Sequence, residues 1–344
     1  MAPASLANTL SNKTNPKRNT MSAIAFLIAV GIDIAKAHFD AARLGADGKY
    51  KHKKFDNTPE GFALFAEWLA GFGAGPAHIC MEATGAYSLP LADFLVAQGF
   101  HVSVANPARI AAFAKSELSR AKTDKADAKL IARYALAMRP PAWMPPPAEL
   151  RELQALLRRL ENLLEMQRME QNREDTADPA VTGSIRAVLA TLEQETEAVR
   201  KVVRRHIDGS PGLKQQAGLL ETIPGVGTAT AAWLLTLLAG HRGFDDPKQA
   251  VAFAGLAPRL RQSGKWAGQT RLSKTGDPML RKVLYMPMLS ALTCNPAICA
   301  FCQRLKANGK PGKSYVCAAM RKLIHVAFAI LKSGKPFDPN YGLA

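Results

Sequence analysis

The chain has 344 residues, room for two or three domains, and its 45 Lys+Arg against 28 Asp+Glu leave a formal charge of +17. That balance argues against an acidic, self-solvating chain and favours a polyanionic partner, nucleic acid above all. Five cysteines, an odd number in so long a chain, argue against a disulfide scaffold and suit a reducing compartment.

Residues 1–21 are polar and rich in Asn, Lys and Pro, so a disordered extension is expected, with Met21 an alternative start. Lys13, Lys17 and Arg18 precede the apolar run 23–32, as in a signal peptide. Asp33 and Lys36 follow at once, however, and the run is too short to span a membrane. A buried strand is expected there, and no membrane partner. Further strands are expected over 38–44 and 50–55, then a helix from Pro59 capped by Thr58, a strand over 76–82, a helix over 89–98 and a strand over 100–105. Helices from Pro107 and Asp124 follow. Three antiparallel strands and then alternating helices and strands is the order of an RNase H-like α/β domain, expected here over residues 22–140.

Asp33 and Glu82 each end an apolar strand, and Asp124 and Asp127 lie three residues apart on one helical face. Unpaired charge is hard to accommodate at such strand ends. Four converging carboxylates would repel and raise one another's pKa, which divalent ions would relieve. Two Mg²⁺ ions held this way suit phosphodiester chemistry, one activating the attacking oxygen and the other steadying the leaving one. Each acid also has a plain alternative: Asp33 as a turn cap, Glu82 facing solvent, Asp124 and Asp127 paired with Lys125 or Arg120.

Pro140, Pro141 and the run 145–147 make a stiff break. Leu150, Leu153, Leu157, Leu160 and Leu164 then form a heptad seam, and Leu189, Leu192, Thr196, Val199 and Val203 repeat the spacing. An antiparallel hairpin, a dimerising coiled coil or an ordinary core pair all fit this helical linker, expected over 141–215. From Leu219 the chain reads as mainly helical, forming a C-terminal domain over 216–336 with a tail at 337–344. Gly225 and Gly227 lie between two helical stretches, where a helix-hairpin-helix would aim backbone amides at a phosphate, and a plain glycine turn is the alternative.

The stretch 241–335 carries 17 Lys/Arg and 3 Asp, +14 of the total. Arg259, Arg261, Lys265, Arg271, Lys274, Arg281, Lys282 and Lys310 are the candidate phosphate contacts in it. Ser263 lies among the first three, and a hydroxyl so placed can attack phosphorus, although Ser-Gly is also a common turn pair. Cys294, Cys299 and Cys302 match an iron–sulfur spacing, but small residues of a buried helix explain them more simply.

The segments Gly31-Ile32-Asp33, Met81-Glu82-Ala83-Thr84-Gly85, Lys122-Thr123-Asp124-Lys125-Ala126-Asp127, Ile223-Pro224-Gly225-Val226-Gly227, Phe253-Ala254-Gly255-Leu256-Ala257-Pro258 and Asn308-Gly309-Lys310-Pro311 occur in this order. Together they resemble the DEDD insertion-sequence transposases, which are bridge-RNA-guided DNA recombinases, over residues 24–335. The resemblance implies a RuvC-like domain whose Asp33, Glu82, Asp124 and Asp127 bind Mg²⁺, and a C-terminal transposase domain with Ser263 as nucleophile. It implies donor and target DNA, a guide RNA, dimers assembling to a tetramer, and a bacterial cytoplasmic, nucleoid-associated setting. Cys302 departs from the family, where an aromatic residue is usual. A RuvC-like endonuclease using water, and a nucleic-acid-binding protein without catalysis, are the competing readings.

Overall fold

A computed structural model describes residues 28–73, 77–83, 85–118, 123–239, 244–259, 262–263, 266–268 and 271–339. The expected extension at 1–21 lies outside them. The chain divides into two compact units, Met1–Pro145 and Pro146–Ala344.

The first unit is built on a five-stranded sheet. Strands β1 (Ile28–Ile34), β2 (His38–Leu44) and β3 (Tyr50–Asp56) form an antiparallel meander, while β4 (Ala77–Glu82) and β5 (His101–Ala105) add in parallel on the far side of β1. The order is β3-β2-β1-β4-β5. Helix α1 (Pro59–Ala70) joins β3 to β4, and α2 (Leu89–Ala97) joins β4 to β5; α3 (Pro107–Ser116) and α4 (Asp124–Met138) complete the unit. The parallel strands need such crossovers, whereas β1, β2 and β3 turn back directly.

Side chains alternate across a strand, so the register decides which residues share a face. Val30, Ile32, Phe39, Phe55, Ile79 and Met81 point to one side, where they pack with Phe62, Phe65, Leu91 and Leu95 of α1 and α2. Ala29, Cys80 and Ala105 point to the other and pack with Ile110 of α3 and Leu130, Ile131 and Tyr134 of α4. Gly31 lies on this second side. A Cβ there would stand 2.1 Å from the Ala128 carbonyl oxygen and 2.2 Å from the Ala132 nitrogen, so only glycine lets α4 rest directly on β1.

The proline break lies against β5. The Trp143 N–H donates to the Val102 carbonyl at 2.7 Å, and Ser103 Oγ reaches the carbonyls of Pro140 and Pro141 at 2.9 and 2.8 Å. With the serine proton committed to a carbonyl, His78 Nε2 donates to Ser103 Oγ at 2.8 Å.

In the second unit two long helices, α5 (Ala148–Glu174) and α6 (Pro179–Gly209), pack along one another. Leu150, Leu153, Leu157 and Leu160 are buried as the seam requires, but Leu163 is buried in place of Leu164. Leu164, the position the heptad count selects, is half-buried. On α6, Thr196 and Val203 are buried and Ile207 extends the seam, while Leu189, Leu192 and Val199 are half-buried.

The base of this pair shares one core with α7 (Pro211–Glu221), α8 (Thr228–Leu238), α9 (Pro247–Phe253), α10 (Pro278–Cys294), α11 (Pro296–Ala307) and α12 (Gly312–Ser333). Proline at the first helical turn starts α6, α7, α9, α10 and α11, where its missing N–H costs nothing. Helix α12 is long and apolar enough to cross a membrane by length and composition, yet Val316, Met320, Leu323, Ile324 and Ile330 are spent on the core. Among the described residues four two-residue strands follow α9: β6 (Pro258–Arg259) pairs with β9 (Arg271–Leu272), and β7 (Gln262–Ser263) with β8 (Trp266–Ala267).

Candidate active site

Four acids gather on the α4 side of the sheet. Asp33 is the penultimate residue of β1 and Glu82 the last of β4, both half-buried on the face that carries Gly31 and Cys80. Asp124 opens α4, exposed, and Asp127 lies one turn on, half-buried. The Thr123 hydroxyl caps that turn by accepting from the Ala126 N–H at 3.2 Å. Because α4 sits directly on Gly31, two residues before Asp33, its first turn is brought to the end of β1.

The electrostatics report the same convergence. Burial, then the charges of Asp127, Asp124, Glu82 and Asp40, pushes Asp33 up to about 6. Burial and Asp127 also raise Glu82. A carboxylate shifted by several like charges favours either a proton or a cation beside it.

Asp40 is a fifth acid that the sequence analysis passed over. It is buried on β2 directly across from Asp33, and His52 Nε2 of β3 lies 2.6 Å from its Oδ1. His38, Asp40 and Asp124 offer ligand atoms within 4.8 Å of one another. The signal was present in the hairpin: strands reversing around Lys36 and Ala37 pair residue 33 with residue 40. Hard oxygen donors, several of them raising one another, fit a divalent cation at this site.

The candidates of the second unit occupy different settings. Ser263 is exposed on β7 and pairs with Trp266. Arg259 and Arg271 are exposed register partners on β6 and β9, and Lys274 and Lys310 are exposed in loops. Arg261 and Lys265 lie outside the described residues. Arg281 turns inward, donating to the Ala254 carbonyl at 3.1 Å, and Lys282 pairs with Glu161 and Glu165 of α5 at 3.3 and 3.0 Å. Gly227 is the N-cap residue of α8. Gly225 takes φ +91°, and a Cβ on it would meet Ala291 Cβ of α10 at 2.7 Å, so packing against α10 already demands glycine there.

Comparison with known proteins accounts for both units. A family model described as a transposase matches residues 30–176, and one described as the transposase IS116/IS110/IS902 family matches residues 217–303. The pilin gene-inverting proteins of Moraxella lacunata and Moraxella bovis are each 33% identical over 313 residues, 90% of this chain and 97% of theirs. The transposase for insertion sequence element IS1328 of Yersinia enterocolitica is 26% identical over 162 residues, 43% of this chain and 44% of its own. The first match spans all four acids and the second spans Ser263. The chain therefore belongs to the IS110-type transposases, enzymes that cut and rejoin DNA.

Proposed function

We propose that the chain is an RNA-guided transposase whose first unit is an RNase H-like, RuvC-like domain binding two Mg²⁺ ions through Asp33, Glu82, Asp124 and Asp127, with Ser263 as nucleophile. The observation that carries this reading is the shared sheet face: acids from two parallel strand ends and one helix turn, with Asp33 pushed up to about 6 by burial and its neighbours. When bound, the ions would activate the attacking oxygen and offset charge on the leaving one.

In the cutting step the Ser263 hydroxyl gives up its proton and its oxygen bonds to phosphorus. The bond from phosphorus to one deoxyribose oxygen breaks, and that oxygen takes up a proton. Rejoining is the reverse reaction with a different strand end. Because the phosphoserine keeps the phosphodiester energy, no separate ligation chemistry is required. The Moraxella relatives are named for inverting a gene, an outcome in which cut ends must be rejoined, and this favours a retained covalent link over hydrolysis by water.

Arg259, Arg261, Lys265, Arg271, Lys274 and Lys310 would hold phosphates without reading bases. Gly225 and Gly227 would belong to a helix-hairpin-helix that approaches the backbone. Sequence choice would then fall to a guide RNA pairing with donor and target DNA, and two dimers would assemble on them.

The test is a cutting assay on the element's own end DNA, with the RNA that co-purifies with the protein sequenced and included. Asp124→Asn should abolish cutting while DNA binding persists. Ser263→Ala should abolish the covalent protein–DNA adduct and recombination. Ser263→Ala protein that still cuts in Mg²⁺ without an adduct would establish the water-using endonuclease instead.

A further inference from the structure

The acids that mark the proposed site repel the polyanion they are to cut, so a DNA strand entering there needs cations placed beside it. The sheet register shows where one stands. Asp33 of β1 pairs with Asp40 of β2, and Asp40 pairs with Lys54 of β3. Directly paired residues share a face, so Lys54 stands on the catalytic face, in line with Asp33. Two inter-strand spacings separate them, ~10 Å, a distance an extended strand covers within about two nucleotides. Asp40, between them, is buried and held by His52, whereas Lys54 is exposed at the sheet's edge.

The same face continues along β3 to Tyr50, where the ammonium of Lys129 from α4 lies 5.3 Å above the ring. Lys53 is the internal contrast. It pairs with Ala41, points to the opposite face, and lies over the Phe55 ring at 5.2 Å.

We propose that the DNA strand being cut leaves the acid site across β2 toward the edge strand β3, with Lys54 gripping a phosphate within about two nucleotides of the cut. This rests on the acid-site reading above and adds the strand's direction to it. Lysines on an exposed edge strand also discourage edge-to-edge pairing of sheets. That role treats Lys53 and Lys54 alike, whereas a phosphate contact on the catalytic face singles out Lys54.

The test compares full-length wild type, Lys54→Gln and Lys53→Gln, each with its RNA, in cutting the element's end DNA. Phosphates flanking the cut are replaced one at a time by neutral methylphosphonates. Lys54→Gln should cut about tenfold more slowly on unmodified DNA, the loss of one charge-assisted contact. Wild type and Lys53→Gln should slow by a similar factor at one replaced phosphate near the cut, and Lys54→Gln should show no further loss at that position.

Lys54→Gln that cuts like wild type, or that keeps the wild-type sensitivity at every phosphate, overturns the strand path while leaving the acid site intact. Equal slowing by Lys53→Gln and Lys54→Gln assigns both lysines to the sheet edge and likewise overturns it. Asp124→Asn that still cuts would overturn the acid site and with it this inference.

Discussion

The two units place their candidate chemistry in opposite ways. In the first, the acids come from strand ends and one capped helix turn, and a sheet register fixes which of them share a face. In the second, Ser263, Arg259 and Arg271 sit on exposed strands of two residues each, and Lys274 and Lys310 in loops. Regular structure positions a charged cluster before any substrate arrives. Exposed short strands and loops hold side chains less precisely than long strands and helices do. The difference separates a pre-organised acid cluster from an exposed cationic surface.

The largest expected effect tests how rigidly each unit depends on its close approach. Gly31→Ala drives a Cβ into the backbone of α4, with the Ala128 oxygen 2.1 Å away, and backbone cannot rotate aside as a side chain can. A loss of about 3 kcal/mol is expected, at the upper end of overpacking costs. Gly225→Ala combines a positive φ with a 2.7 Å contact to a small side chain and should cost about 2 kcal/mol. Urea unfolding followed by limited proteolysis will assign each loss: Gly31→Ala should open the first unit early and Gly225→Ala the second. If both variants unfolded the whole chain in a single shifted transition, the two units would be one cooperative body.

This contrast also explains what the sequence made legible. Alternating apolar residues and Pro at first helical turns marked the strands and helices of the first unit to within one or two residues in most cases. Asp33 and Glu82 stood out because charge at the end of an apolar strand is costly, and Asp124 and Asp127 because residues three apart on a helix share a face. Asp40 did not, because it looks like an ordinary polar residue of a short strand until the hairpin register sets it opposite Asp33. In the second unit the heptad reading chose Leu164 where Leu163 is the more buried, since burial there is decided by what packs against the helix and not by the spacing count. The two-residue strands around Ser263 carry no periodicity at all.

A smaller effect, of known sign, separates the site acid from the buried histidine in the same unit. Without metal, Asp33 titrates at about 6 in the folded chain against 3.8 when unfolded, so the folded state holds a proton that the unfolded state releases between those values. Its contribution to stability therefore falls as pH rises through that window. Burial and the neighbouring His101 lower His78 from 6.5 to about 4. The unfolded state then binds the proton first, and the His78 contribution falls as pH is lowered from 6.5 to 4. In chelator, Asp33→Asn should gain on wild type from pH 4 to pH 6, and His78→Gln should gain on wild type in the opposite direction. Divalent cation should erase the first difference and leave the second. A cation that left both unchanged would argue against metal binding at Asp33.

The smallest effect compares two helix caps. Thr123 takes extended backbone before α4 and accepts from the Ala126 N–H, while Asp277 caps α10 by accepting from the Met279 N–H at 2.8 Å. Alanine at either position should cost about 1 kcal/mol. The consequences differ, because the turn that Thr123 holds carries Asp124 and Asp127. Fraying it lets both carboxylates leave the geometry set by Gly31, so Thr123→Ala should weaken divalent-cation binding several-fold, and Thr123→Ser, which keeps the hydroxyl, should restore it. Asp277→Ala should match the stability loss and leave cation affinity unchanged. Calorimetric titration with Mn²⁺ measures the difference directly. Equal affinities in the two alanine variants would mean that the acids of α4 do not depend on their helix turn, and the first unit's pre-organisation would then have to come from the strand ends alone.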